Sequence, residues 1–231
     1  MQYGTIVRGT FIDRPNRFIA HVLINDKPET VHVKNTGRCR ELLLPGAQVI
    51  LERSDNPARK TKYDLVSVYK EGLGLVNIDS QAPNKVAAEW LKRQPDISFI
   101  KPEYTYGTSR LDFYFERKCN DTVKCLAEVK GVTLERNGTG YFPDAPTERG
   151  LKHLKELTGA VSRGFECYLI FVIQMEGIDV VYPNTETHPE FGLALEQAAA
   201  SGVQVIYLGC RVRERELRAE RVKTGYHMPD D

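Results

Sequence analysis

Short runs of alternating apolar and polar residues fill the first third of the chain, and they stop where a helical spacing begins. Thr5 to Ile12, Arg17 to Ile24, Thr30 to Val33, Gln48 to Glu52, Tyr63 to Tyr69 and Gly74 to Asn77 each read as a strand. β-Branched and aromatic residues dominate them, and side chains at i and i+2 share a face. Turn chemistry separates them at Asp13-Arg-Pro-Asn16, Asn25-Asp-Lys-Pro28, Pro45-Gly46 and Asp55-Asn-Pro57. Short strands at this spacing predict a small barrel of the OB-fold kind, with Arg38 to Leu44 as a short connecting helix.

The pattern changes at Ala82-Pro-Asn-Lys85, which divides the chain into residues 1–81 and 82–231. Asn84 is expected to cap a helix running to Lys92, with Val86, Ala87, Trp90 and Leu91 as its buried stripe. Arg110 to Glu116 and Val123 to Leu134 read as a hairpin around the polar Lys118 to Thr122 cluster, and Glu135 to Gly140 as a loop. Asp144 or Thr147 can cap a helix to Ser162, with Leu151, Leu154, Thr158 and Val161 inward and Arg149, Lys152, His153 and Glu156 on another face. Cys167 to Gln174 is a continuous apolar run, as in a strand covered on both faces. Asp179 to Tyr182 follows as a strand, Pro189 to Ser201 as a helix and Val203 to Leu208 as a strand. This order predicts an α/β domain with a mixed sheet, α+β for the chain as a whole. Arg211 to Lys223 reads as either a helix or a disordered tail.

The hairpin carries the candidate chemistry. Leu111, Phe113 and Phe115 are expected on one face of its first strand and Asp112 on the other. On the second strand Cys125, Ala127 and Val129 point one way, Glu128 and Lys130 the other. Asp112, Glu128 and Lys130 can therefore converge. Neighbouring carboxylates repel unless a cation lies between them, and oxygen ligands select Mg²⁺ or Mn²⁺. With Lys130 holding the attacking water, that set suffices for phosphodiester hydrolysis. A surface hairpin with alternating charges accounts for the same three residues.

Composition narrows the partners. Net charge is +1, so a polyanion would meet a local patch and no global basic excess. Residues 1–80 hold 12 Lys or Arg against 9 Asp or Glu, the remainder 20 against 22, which mildly favours the amino-terminal part. There the cations gather on connections: Arg14, Arg17, Lys34 to Arg40, and Arg59 to Lys62. Lys34, Arg38 and Arg40 are candidate phosphate contacts, and Phe18, Tyr63 and Tyr69 could stack bases; solvated loop charges and core aromatics are the alternative. Five cysteines, odd in number and without a CxxC pair, argue against a disulfide framework and a structural zinc site and point to reduced thiols, as in a cytoplasmic protein. The longest apolar run, Tyr168 to Ile173, is too short to span a bilayer.

The segment Gly140 to Thr158, GYFPDAPTERGLKHLKELT, closely resembles the sugar fermentation stimulation protein A family, as do EVKGVTLE before it and the NTGR loop near the amino terminus. The resemblance extends over nearly the whole chain. It implies an OB-fold-like amino-terminal domain, a restriction-endonuclease-like domain of the PD-(D/E)xK type, non-specific DNA binding, and a regulatory role in sugar, notably maltose, utilisation. On this chain Asp112 stands as the motif's first acid, Glu128 as the second and Lys130 as its lysine; Leu111 occupies the proline position. Nuclease-like folds often draw a further metal ligand from the first helix, where Glu89 lies. Cations early in a helix oppose its dipole, so Arg149 and His153 are expected to face phosphate; Lys152 either joins them or pairs with Glu156 on a solvent-facing helix. A catalytically silent DNA-associated regulator is the alternative reading, and RNA shares the same chemistry.

Overall fold

The computed structural model describes residues 1–35 and 37–227. Six strands come first: β1 (Ile6–Asp13), β2 (Ile19–Ile24), β3 (Lys27–Val33), β4 (Gln48–Arg53), β5 (Tyr63–Lys70) and β6 (Gly74–Asn77). They pair in the order β3-β2-β1-β4-β5-β6, and a parallel contact of His32 and Val33 with Asp64 and Leu65 closes the first five into a barrel. Alternation supplies its core, with Ala20 and Val22, Val31 and Val33, Val49 and Leu51, and Leu65 turned inward. The expected OB-type barrel is present.

Two local readings change. Asn25 and Asp26 both adopt positive φ, 50° and 60°, the backbone a two-residue hairpin turn needs, so β3 begins at Lys27 and not at Thr30. Arg38 to Leu44 forms no helix. The N–H groups of Leu42 and Leu43 both return to the Cys39 carbonyl, a single turn that buries Cys39, Leu42 and Leu43 at the end of the barrel.

The remainder runs α1 (Ala82–Lys92), β7 (Ile97–Tyr106), β8 (Ser109–Lys118), β9 (Thr122–Val132), β10 (Leu134–Arg136), β11 (Thr139–Phe142), α2 (Glu148–Val161), β12 (Glu166–Ile173), β13 (Val181–Pro183), α3 (Pro189–Ala200), β14 (Gln204–Arg213) and β15 (Glu216–Thr224). A six-stranded sheet, β15-β14-β12-β9-β8-β7, is parallel at its centre and antiparallel at both sides, the expected mixed sheet. Helix α1 packs on one face against Phe113, Phe115, Ala127, Val129 and Ile170. On the other face α2 and α3 cover Leu126, Leu169, Phe171 and Tyr207, and this core is continuous with that of the barrel. No helix among the described residues is long and apolar enough to cross a membrane.

Three segments depart from expectation. Residues 135–140 form no open loop: Asn137 and Gly138, with φ of 51° and 81°, turn β10 into β11. The charged stretch from Arg211 to Lys223 is neither helix nor disordered. It completes β14 and forms β15, whose Leu217 and Ala219 face the sheet core while its charges face water. Asn84 does not cap α1, because the helix already starts at Ala82 with Pro83 in its first turn. On α2 the cap is Thr147, whose hydroxyl accepts the Gly150 N–H at 3.0 Å, and not Asp144.

Candidate metal and nucleic-acid site

Strands β8 and β9 pair regularly from the hairpin turn up to Phe113 and Ala127, and the site begins where that ladder stops. Beyond this point the Val129 N–H donates to Asp112 Oδ2 at 2.7 Å, so a carboxylate takes a backbone bond that the strand would otherwise make. The alternation of β8 breaks at the same residue. Leu111 joins the core containing Tyr114 and Leu126, and Phe113 and Phe115 join the one under α1, so the three do not share the single face their spacing implies. Asp112 Oδ1 accepts the Asn84 amide at 2.8 Å. Both carboxylate oxygens are thus fixed.

Glu128 and Lys130 share the face of β9 that looks toward α2. Lys130 Nζ donates to Glu128 Oε1 at 2.6 Å, and His153 Nδ1 approaches the same oxygen at 2.5 Å. Glu128 Oε2 is buried and has no hydrogen-bond partner among the described residues. Burial alone would push this carboxyl up, but the His153 hydrogen bond and the Lys130 charge outweigh it and hold Glu128 below the usual range. Asp112 moves the other way. Burial first, then the charge of Glu128, raise it against the pull of the Val129 N–H, Asn84 and Lys130. Two neighbouring carboxylates, one held anionic and the other driven toward its neutral form, are the side chains here that could hold a cation.

The positions of the other candidates differ from expectation. His153 is 3% exposed and braces Glu128, so it cannot contact phosphate as expected; α2 turns it inward beside Leu154 and Leu157. Glu89 is not brought to the acid pair. Five residues beyond Asn84 it lies on a different side of α1, where it pairs with the Met1 amino group at 2.7 Å. Lys34 is committed to Asp79 at 3.1 Å and Glu52 at 3.4 Å, which removes it from the exposed phosphate contacts. Lys152 is tied by its ammonium to the Thr108 carbonyl at 3.1 Å. Arg149 is exposed and lines a pocket of about 400 Å³ with Arg110, Ser109 and His153. Arg38 and Arg40 are exposed beside a second pocket on the barrel, of about 430 Å³. Of the aromatics, Phe18 and Tyr69 are 51% and 59% exposed, whereas Tyr63 packs against the barrel core.

Two residues escaped the sequence reading. Asn84 orients Asp112, and its polar side chain at a helix start read as a cap. Arg14 read as a loop cation, yet its guanidinium binds the carbonyls of Arg17, Asn35, Gly37 and Arg38 and so shapes the NTGR loop, whose Thr36 lies outside the described residues. Gly37 of that loop comes close to Asp144, so the two signature segments meet. Together with the start of α1 and the end of β9 they enclose a cleft of about 370 Å³.

Comparison with known proteins agrees with this architecture. Residues 12–78 match the family model described as SfsA N-terminal OB domain, and residues 81–216 match the Sugar fermentation stimulation protein RE domain. The chain is 51% identical over 224 residues to a Sugar fermentation stimulation protein homolog of Ruminiclostridium cellulolyticum, covering 96% of this chain and 97% of that one. A homolog of Desulfitobacterium hafniense strain Y51 is 52% identical over 221 residues, covering 95% of each. Among solved structures, that of Pyrococcus furiosus SfsA in complex with Ca²⁺ is similar, with a TM-score of 0.80 and 27% identity over 97% of this chain and 95% of that one.

Proposed function

This chain belongs to the sugar fermentation stimulation protein family, and from that premise we propose that it is a divalent-metal-dependent nuclease that hydrolyses phosphodiester bonds in DNA. The observation that carries the reading is Glu128: one oxygen is fixed by two donors, and the other is buried without any among the described residues, beside a second carboxylate. An unsatisfied buried charged group costs on the order of 1–3 kcal/mol or more. A cation at that oxygen offsets the cost.

Asp112 and Glu128 would hold Mg²⁺ or Mn²⁺, and a site of only two carboxylates suits magnesium, which keeps several waters. The Ca²⁺ complex of the Pyrococcus furiosus relative supports a hard, oxygen-seeking ion. When bound, such an ion neutralises charge on the phosphoryl group and makes water a competent nucleophile near neutral pH. The protein's own residues do the positioning. Asn84 and the Val129 N–H orient Asp112, while His153 and Lys130 orient Glu128. The remaining N–H donors of Lys130 hold the attacking water or a phosphate oxygen. Arg149, with no ion pair among the described residues, is shaped for bidentate contact with a flanking phosphate.

The test is incubation of DNA and RNA, single- and double-stranded, with Mg²⁺, Mn²⁺ or EDTA. Cleavage that requires the metal and vanishes in Glu128→Ala is the expected result. Cleavage that survives the substitution contradicts the assignment, and tight binding without cleavage in every metal favours a silent DNA-associated regulator.

A further inference from the structure

We propose that the cleft beside Asp112 receives one unstacked nucleobase, so that the protein acts on unpaired nucleotides and rejects intact duplex; this rests on the nuclease reading of the acid pair. The cleft differs in kind from the Arg149 pocket. Among the described residues no Lys or Arg lines it, and it contains one carboxylate, Asp144. A channel for phosphates needs cations, because neutralising the backbone supplies most of its affinity. This lining instead offers amides from Asn84 and Gln174, hydroxyls from Thr133 and Thr147, and the ring of Tyr141. Those are groups that can read base edges and enclose a single base.

Gln174 gives the sharpest indication. It is 2% exposed, and its Nε2 donates to Asn77 Oδ1 at 2.8 Å and to the Asp79 carbonyl at 3.1 Å. A carbonyl can only accept, so the orientation of the amide is fixed. The Oε1 atom therefore faces the cleft over Gly131, where an added Cβ would stand 2.4 Å from it. No donor among the described residues reaches this oxygen. An acceptor fixed in this direction at the cleft wall can take an N–H from a ligand, and the ring and exocyclic nitrogens of a base supply one.

Size and position agree. At about 370 Å³ the cleft lies near the lower end of ligand pockets, room for one nucleotide. Asn84 lines it and also holds Asp112, so a base seated there brings its own phosphate to the acid pair. The adjoining phosphates then run toward Arg149. A duplex must unpair and unstack to enter, at a cost of a few kcal/mol that a single strand does not bear.

The experiment uses a DNA strand carrying one 2-aminopurine, alone or in a blunt duplex, with the full chain in EDTA so that nothing is cut. Its emission should rise several-fold on binding, and the single strand should bind about tenfold or more tighter than the duplex at equal salt. Ala145→Trp and Thr133→Phe, which fill the cleft from different walls, should each abolish the rise and the preference while thermal unfolding verifies the fold. Unchanged emission at saturation, equal affinity for both forms, or folded filling variants that behave as wild type would overturn the proposal. Full competition by micromolar deoxyadenosine monophosphate would overturn it in favour of a mononucleotide site. Absence of cleavage in a parallel Mg²⁺ assay would count against the nuclease reading alone, because these readouts need no turnover.

Discussion

His153 Nδ1 lies 2.5 Å from Glu128 Oε1, which makes a residue of α2 the anchor of a carboxylate on β9. Both side chains are buried, so removing the imidazole leaves a charged oxygen short of a partner. His153→Ala should cost about 1.5–3 kcal/mol in denaturant unfolding and lower metal-dependent cleavage by about tenfold or more. His153→Gln, which keeps an N–H on a flexible stem, should recover part of both. Full activity in the alanine variant would exclude a positioning role.

Asp112 and Glu128 are held together against their mutual repulsion, and that arrangement serves the site more than the fold. In EDTA, Asp112→Asn should therefore be nearly neutral in stability or mildly stabilising, since Asn84 can flip its amide to pair with the new side chain. Differential scanning calorimetry in EDTA checks this; a loss of several degrees in melting temperature would mean that the charge is structural.

Much of the site was legible, and the part that was not has physical reasons. The period of two on β9 put Glu128 and Lys130 on one face, and they share it. That period failed on β8 because Asp112 replaces a ladder partner, a substitution that alternation does not encode. Reading His153 as a phosphate-facing cation followed from its helical spacing with Arg149, Lys152 and Glu156, but the same spacing sets it beside the Leu154 stripe, and packing turns it inward. Strand β7 escaped notice because it is an edge strand with a wet outer surface, Phe99 being 48% exposed, and Pro102 within it interrupts any strand pattern. Strand β15 looked like a charged tail because only Leu217 and Ala219 signal its buried face.

On the barrel, Asp64 is a carboxylate whose chemistry is structural. Burial raises it, but hydrogen bonds from Arg59 and His32 prevail and hold it below its ordinary value. A depressed carboxyl contributes stability that is complete above its unfolded pKa, about 3.9, and is lost as pH falls through the folded value. Asp64→Asn should lose about 2 kcal/mol at neutral pH and show a shallower decline below about pH 4. Parallel acid-unfolding curves for the two proteins would contradict this.

Gly131 sits where β9, β12 and the start of α1 converge, and a Cβ there would meet Gln174 Oε1 at 2.4 Å and Pro83 at 2.6 Å. Gly131→Ala should destabilise by about 1–3 kcal/mol through overpacking, measured as a lower urea midpoint with an unchanged m-value. A neutral result would show that Gln174 can move away.

Cation binding by Asp112 and Glu128 is the property on which the nuclease chemistry depends. Calorimetric titration of Mn²⁺ into the protein, with Asp112→Asn and Glu128→Gln alongside, measures this without a nucleic acid. One ion per chain in the wild type, lost in both variants, is the expected result. Equal binding by all three proteins, or none by the wild type, would contradict it.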